Sequence, residues 1–119
     1  MKTVLVIDDS ETVRRYHASI FQAAGFSVTT AVDGADGLEK FYRAPSNVIL
    51  TDINMAGMDG YEFIRRLRQD ASFDHVPIII VSTESEDKDM RKGIELGANL
   101  YIVKPTDPQQ LIQNVQMVL

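Results

Sequence analysis

Residues 48–68 read VILTDINMAGMDGYEFIRRLR, and this stretch decides the fold. It begins with a continuously apolar run, Val48–Thr51, which is typical of a strand buried on both faces of a parallel sheet. After a short loop, Phe63, Ile64 and Leu67 recur at the spacing of one helical face. The stretch therefore predicts one strand–helix unit, with Asp52 at the carboxyl end of the strand.

The same alternation of strand and helix continues in both directions along the chain. Short apolar runs predict five strands, at Thr3–Ile7, Phe26–Ala31, Val48–Thr51, Ile78–Ser82 and Leu100–Val103. A helix-length segment follows each run, which predicts an α/β fold of the (βα)5 type: a doubly wound, five-stranded parallel sheet with helices on both faces. A ligand site in such a fold lies outside the carboxyl ends of the strands.

The predicted helices are marked by their apolar faces and by their ends. In the first helix, Gly25 is the expected stop, and one face carries Val13, His17, Ile20 and Ala24. The second, shorter helix is marked by Leu38, Phe41 and Tyr42.

The fourth and fifth helices have recognisable starts. Ser85 is the expected cap of the fourth, with Glu86 and Asp87 in its first turn and Met90 and Ile94 as its apolar stripe. Thr106 or Asp107 is expected to cap the fifth, with Pro108 at its first position. The apolar stripe of the fifth helix is Leu111, Val115 and Val118.

Composition limits the function classes. A chain of 119 residues is expected to form one domain, residues 1–119, and a net charge of −5 argues against a basic nucleic-acid-binding face. The absence of cysteine excludes a disulfide framework and a thiolate metal site. The apolar stretch in MKTVLVIDD is too short for a signal peptide, and no run approaches the roughly 20 residues of a membrane span. We therefore expect a cytoplasmic protein that binds neither nucleic acid nor membrane.

Chemistry-bearing residues follow four of the five predicted strands. The first strand is followed by Asp8 and Asp9, the third by Asp52 and the fifth by Lys104, while the fourth ends in Ser82 and Thr83. Three carboxylates in one cleft repel one another, and Mg²⁺ relieves such repulsion. With Lys104 beside them, this set predicts a site that accepts a phosphoryl group on an aspartate.

Taken singly, each of these residues has an ordinary structural role. An acidic pair after a strand commonly caps a helix, an isolated aspartate such as Asp52 commonly lies in a turn, and Ser82 or Thr83 can simply end a strand. Their joint occurrence at one edge of the sheet favours a functional site. The two histidines, His17 and His75, have no partner at metal-ligand spacing, and we expect them beside the core and in a loop respectively.

Four motifs resemble the receiver domains of response regulators, the CheY-like phosphorylated proteins of two-component signalling. They are VLVIDDSETVRR at Val4–Arg15, VILTDINMAGMDGYEFIRRLR at Val48–Arg68, PIIIVSTES at Pro77–Ser85 and GANLYIVKP at Gly97–Pro105. They occur in the order and at the spacing of that family, across essentially the whole chain. The resemblance implies a flavodoxin-like sheet with strand order 2-1-3-4-5.

The resemblance also implies roles for the residues of the acidic cleft. Asp52 corresponds to the phosphoacceptor and Lys104 to the lysine that pairs with the phosphoryl oxygens, ahead of a proline at 105 that often follows a cis bond. The implied Mg²⁺ site includes Asp52 and has Asp9 as the direct ligand, while Asp8 acts through water and Asn54 contributes its backbone carbonyl.

Further positions match the switch and rate-tuning residues of the family. Ser82 matches the hydroxyl that turns toward the phosphoryl group, and Tyr101 the aromatic side chain whose rotamer follows it. Asn54 and Glu84 match two variable positions beside the acyl phosphate, and this polar pair predicts a phosphorylated lifetime of seconds to about a minute. Ala56 departs from the family, which commonly has proline there, so the loop is expected to be less rigid.

The resemblance implies a signalling switch and not an enzyme, apart from self-phosphorylation from a phosphodonor and auto-dephosphorylation. The expected partners are a histidine kinase or phosphotransfer protein and an output protein that binds the face of the fourth helix, fifth strand and fifth helix. One alternative is a phosphorylation-independent interaction module on the same scaffold. The other is a Mg²⁺-dependent hydrolase of the haloacid-dehalogenase type, which requires an Asp-x-Asp pattern where this chain has Asp8-Asp9-Ser10.

Overall fold

A computed structural model describes residues 1–119 and contains one five-stranded sheet. The strands are β1 (Thr3–Ile7), β2 (Ser27–Ala31), β3 (Val48–Thr51), β4 (Ile78–Ser82) and β5 (Leu100–Val103). The helices are α1 (Glu11–Ala23), α2 (Gly34–Arg43), α3 (Gly60–Arg68), α4 (Asp87–Leu96) and α5 (Pro108–Val118), with a 3₁₀ turn at Ala71–Phe73. None of these helices combines the length and the apolar character that a membrane-spanning helix requires.

All neighbouring strands are parallel, in the order β2-β1-β3-β4-β5, which confirms the flavodoxin-like topology. Alternate residues of β1 point into two separate cores. Leu5 and Ile7 pack on the face covered by α2, α3 and α4, whereas Val4 and Val6 pack on the face covered by α1 and α5. The sheet therefore has helices on both sides, and its carboxyl edge is left for loops.

Most predicted boundaries are confirmed, and β2 begins one residue later than predicted. The Phe26 N–H donates to the carbonyl of Phe21 at 2.9 Å, so Phe26 closes the turn after α1 and does not pair in the sheet. That turn is made by Gly25, whose φ of +93° favours glycine. Phe21 is fully buried and fixes α1, whereas Ala24, predicted to lie on the apolar face, is exposed.

Two predictions for the fourth helix were wrong. Glu86, not Ser85, precedes the first turn of α4, and no side chain caps it. Ile94 is 48% exposed, and the buried residue of α4 is Gly93. A Cβ at Gly93 would lie 2.4 Å from Ile80 Cδ1, so α4 approaches the sheet through bare backbone and turns Ile94 to solvent.

The other helices agree with their sequence patterns, except that Tyr42 of α2 is 47% exposed and leaves Phe41 as the buried aromatic residue. Phe63, Ile64 and Leu67 of α3 are fully buried. Asp107 caps α5 by accepting from the Gln110 N–H at 3.1 Å, with Pro108 in the first turn.

Candidate functional site

The predicted acidic cleft forms at the carboxyl edge of the three central strands. Parallel pairing sets Ile7 of β1 beside Thr51 of β3, so the residues that follow these strands emerge side by side. One carboxylate oxygen from each of Asp8, Asp9 and Asp52 lies within 4.8 Å of the others. Parallel strand register thus brings Asp52 beside Asp8 and Asp9, from which it is widely separated in sequence.

Lys104 enters the cleft from the end of β5. Its Nζ lies 2.9 Å from Asp8 Oδ2 and 3.2 Å from Asp52 Oδ2, and all three side chains are largely buried. Burial alone would lower the pKa of Lys104, but the two carboxylates outweigh it and raise that pKa above its ordinary value. The ammonium therefore keeps its proton in the cleft.

For Asp52, unlike Lys104, the surroundings favour the neutral form of the side chain. Burial raises the pKa of its carboxyl, and this outweighs the lowering by Lys104 and by the Ile53 N–H, which donates to Oδ1 at 2.7 Å. The repulsion from Asp8 also raises the Asp52 pKa. A buried carboxylate that is costly to keep ionised is a frequent feature of functional sites.

The donor set fits a hard divalent cation. Both Asp8 oxygens are already engaged, by the Ser10 N–H at 2.9 Å and by Lys104. Asp9 is exposed and makes no hydrogen bond within the protein, and nothing donates to the Asn54 carbonyl. Three carboxylates against one ammonium leave the cleft negative, and Mg²⁺ favours such oxygen ligands.

The loop from Asp52 to Gly60 holds the acid in place. The Gly60 N–H donates to the Ile53 carbonyl at 2.9 Å, and a Cβ at Gly60 would lie 2.0 Å from the Asp52 carbonyl oxygen. Only glycine permits this approach. Ala56, where the family commonly has proline, is exposed on the same loop, and the Lys104–Pro105 bond on the other side of the cleft is cis, as expected.

Glu84 connects the predicted switch and rate-tuning residues. Its N–H donates to Ser82 Oγ at 3.1 Å, and its carbonyl accepts from the Tyr101 hydroxyl at 2.7 Å. Its carboxylate accepts from Asn54 Nδ2 at 2.8 Å, across the mouth of the cleft. Glu84 is therefore hydrogen-bonded to Ser82, Tyr101 and Asn54. Thr83 is exposed and takes part in none of these hydrogen bonds.

Two contacts of the cleft were not predicted from sequence. Arg14 Nη1 donates to the Asp8 carbonyl at 2.7 Å, which ties α1 to the end of β1. His17, expected beside the core, is buried and lines a small cavity together with Asp8 and Asp52. Burial, and then the charge of Lys104, lowers the pKa of His17. Neither residue has a sequence signal beyond its position on α1. His75 is exposed, as expected of a loop residue.

A third unpredicted contact joins α3 to α4. The Tyr61 hydroxyl donates to the Asp89 carbonyl at 2.9 Å, and Lys92 Nζ lies 4.4 Å from the centre of the Tyr61 ring. Burial, together with nearby groups, raises the pKa of Tyr61 to about 12. Tyr61 and Tyr101 thus hold the beginning of α4 from two sides.

Comparison with known proteins gives one consistent result. The sequence model of a family described as the response regulator receiver domain matches residues 4–116. Chemotaxis protein CheY1 of Helicobacter pylori is 36% identical over 118 residues, which cover 98% of this chain and 95% of that protein. The solved structure of chemotaxis protein CheY4 of Vibrio cholerae, 36% identical, superposes with a TM-score of 0.95 and covers 100% of this chain and 99% of that chain.

Other relatives are longer. The probable transcriptional regulator ycf27 of Porphyridium aerugineum is 37% identical over 116 residues, which cover 98% of this chain and 47% of that protein. The chain thus spans about half the length of that relative. Its relatives therefore include proteins of about its own length and proteins about twice as long.

Proposed function

Because this chain belongs to the response regulator receiver domain family, a family of two-component signalling proteins, we propose that it is switched by a phosphoryl group on Asp52. The observation that carries the proposal is the position of the Asp52 carboxylate, 14% exposed, 3.2 Å from Lys104 Nζ and beside Asp8 and Asp9. The phosphoryl donor is a histidine kinase, a phosphotransfer protein or a small phosphodonor.

In the transfer, the Asp52 carboxylate attacks phosphorus. The new O–P bond forms as the P–N bond of a phosphohistidine breaks, and the freed imidazole nitrogen takes up a proton. Lys104 pairs with the phosphoryl oxygens, since its neighbours hold it in the charged form. The product is an acyl phosphate on Asp52.

The residues that would hold Mg²⁺ are Asp9 and Asp52, Asp8 through water, and the backbone carbonyl of Asn54. The ion, when bound, offsets the charge of the transferring oxygens. The Asp9 carboxylate and the Asn54 carbonyl, which make no hydrogen bond within the protein, support this assignment.

The switch follows from the three contacts of Glu84. When Ser82 Oγ turns to donate to the phosphoryl group, it gives up the Glu84 N–H. Glu84 is also the anchor of the Tyr101 hydroxyl, so both the aromatic side chain and the segment before α4 are released together. An output protein that prefers the altered face of α4, β5 and α5 then shifts the equilibrium.

Asn54 and Glu84 set the lifetime of the phosphorylated state. Both are polar and neither shields the acyl phosphate with apolar bulk, so a water can reach it. Their mutual hydrogen bond at 2.8 Å spans the mouth through which that water enters. We expect a half-life of seconds to about a minute, which suits a rapid relay.

The direct test is phosphorylation with phosphoramidate and Mg²⁺, followed by intact-mass measurement. The wild type is expected to gain one phosphoryl group, Asp52→Asn none, and Asp9→Asn much less than wild type. The matched control is Asp74→Asn, an exposed loop aspartate outside the cleft, which should be labelled like the wild type. Labelling of Asp52→Asn would contradict the assignment.

The lifetime is tested by removing the donor and following decay with Mg²⁺ present. Asn54→Met and Glu84→Leu are expected to slow the decay severalfold or more. A wild-type half-life of hours, or decay that neither variant changes, would contradict the role of this pair without affecting the assignment of Asp52.

A further inference from the structure

His17 is a buried polar side chain that the proposed phosphorylation does not use. It lies on α1 beside the acidic cleft and is 4% exposed. Its imidazole makes no hydrogen bond within the protein, yet no fully buried side-chain nitrogen or oxygen lacks a hydrogen-bond partner. The ring nitrogens of His17 therefore reach solvent, although the side chain as a whole is packed away from it.

Two cavities meet at His17. One is the small cavity that His17 lines with Asp8, Thr51, Asp52 and apolar side chains of the sheet, and it has no room for a water molecule. We call it the dry cavity. The other, which we call the side pocket, has a volume of about 290 Å³ and opens to solvent between α1 and the end of β5. The other walls of the side pocket are Val13, Tyr16, Lys104, Pro105 and Thr106.

His17 is the one residue that lines both cavities. Its ring therefore separates the solvent of the side pocket from the dry cavity behind Asp52. The imidazole suits this position, because its nitrogens are satisfied by solvent in the side pocket and the rest of the ring is left to face the dry cavity. A side chain without the ring would join the two cavities.

We propose that His17 is a positioning residue for phosphorylation, which keeps water in the side pocket from reaching Asp52 and its contact with Lys104. The inference rests on the proposed transfer to Asp52. The Asp52 side chain is only 14% exposed, so a second opening would add substantially to the water around it.

Exclusion of water matters because Lys104 acts through its charge. Its Nζ lies 2.9 Å from Asp8 Oδ2 and 3.2 Å from Asp52 Oδ2, and water entering behind these carboxylates would compete for the same N–H groups. The attraction between the ammonium and the transferring oxygens is also stronger where water is excluded. Burial and the charge of Lys104 both lower the pKa of His17, so the neutral ring adds no second cation beside these carboxylates.

Initial rates of phosphorylation by phosphoramidate test the proposal, at saturating Mg²⁺ and in mildly alkaline buffer, so that protonation of Asp52 limits no variant. We expect His17→Ala to lower the rate at least about fivefold, because it joins the two cavities. His17→Leu refills the space with an apolar side chain and should stay close to the wild-type rate. The control on the same helix, Tyr16→Ala, enlarges only the side pocket and should match the wild type.

A second control separates the role of His17 from a general loss of stability. Val115→Ala empties a fully buried site on the same face of the sheet, and Val115 lines neither cavity. This variant should therefore be less stable than the wild type and yet be phosphorylated at the wild-type rate. Urea unfolding measures the stability of every variant.

The outcomes distinguish this inference from the proposed function. A wild type that phosphoramidate does not label would overturn both. A labelled wild type with His17→Ala equally fast, or with His17→Leu as slow as His17→Ala, would overturn the role of His17 and leave the assignment of Asp52 intact. Slowing of Val115→Ala to the rate of His17→Ala would also overturn that role, since the loss would then follow from stability.

Discussion

The two helices that flank β5 are held to the sheet in different ways. Helix α5 buries Leu111 and Val115 completely and has Asp107 as a side-chain cap. Helix α4 buries only Gly93, has no side-chain cap, and leaves Ile94 48% exposed. Burial of apolar side chains stabilises α5, whereas α4 is held mainly by a few hydrogen bonds. We therefore expect a change in the neighbouring cleft to shift α4 and to leave α5 in place.

The two ends of α4 also differ. At its C-terminal end, Arg68 donates to the carbonyl of Gly97 at 3.1 Å, and also to the carbonyls of Phe73 and Val76. At its N-terminal end, the Tyr61 hydroxyl donates to Asp89 and the Tyr101 hydroxyl to Glu84, which also bonds the side chains of Ser82 and Asn54. We infer that α4 pivots about its C-terminal end when Tyr101 is released.

The largest expected effect compares matched truncations in the two helices. Leu111→Ala should lower the free energy of unfolding by about 2–5 kcal/mol, because it empties a fully buried site. Ile94→Ala removes a half-exposed side chain and should cost no more than about 0.5 kcal/mol. Urea unfolding measures both, and equal losses would mean that α4 is anchored like α5.

The next effect concerns the pivot. Arg68→Met leaves several backbone carbonyls without a donor and should cost about 1–3 kcal/mol. Arg66→Met, its control on the same helix, removes only an exposed ion pair with Glu62 and should cost less than about 1 kcal/mol. Hydrogen exchange at residues 97–99 should accelerate in the first variant only; unchanged exchange there would exclude Arg68 as the pivot.

A smaller effect is expected at the other end of α4. Tyr61→Phe and Tyr101→Phe each remove one hydroxyl that donates to a carbonyl, which should cost about 0.5–1.5 kcal/mol. Because both hydroxyls hold the same end of α4, the double variant should speed amide hydrogen exchange in residues 85–90 more than either single variant. If neither substitution changes that exchange, the tyrosines do not hold α4.

The smallest effect is on stability without metal. Folding raises the pKa of Asp52, so the folded protein binds that proton more tightly than the unfolded chain does, and stability falls as pH rises from the ordinary carboxyl range through the folded pKa. Asp52→Asn removes this penalty and should be as stable as the wild type or more so at neutral pH, with the two converging in acid. Urea unfolding in chelator checks it, and a loss above about 1 kcal/mol would mean that Asp52 is mainly a structural partner of Lys104.

Much of the fold could be predicted because strands buried in a parallel sheet have continuously apolar sequences. Val48–Thr51 and Ile78–Ser82 match the predicted spans to the residue. Helix α4 could not be predicted as well, since its contact with the sheet is made by Gly93, which has no side chain to form a pattern.

The acidic cleft was predicted because the residue that follows each parallel strand emerges at one edge. The contacts of Glu84 could not be foreseen, because the Asn54–Glu84 hydrogen bond joins loops 30 residues apart whose conformations depend on the whole fold. The roles of these residues in phosphorylation remain predictions.

The central claim is that a phosphoryl group on Asp52 changes α4 while α5 stays in place. Amide hydrogen exchange, followed peptide by peptide with and without excess phosphoramidate and Mg²⁺, tests it most directly. We predict altered exchange in residues 83–92, little change in residues 108–118, and neither change in Asp52→Asn. Equal changes in both helices, or a response that survives in Asp52→Asn, would contradict the account.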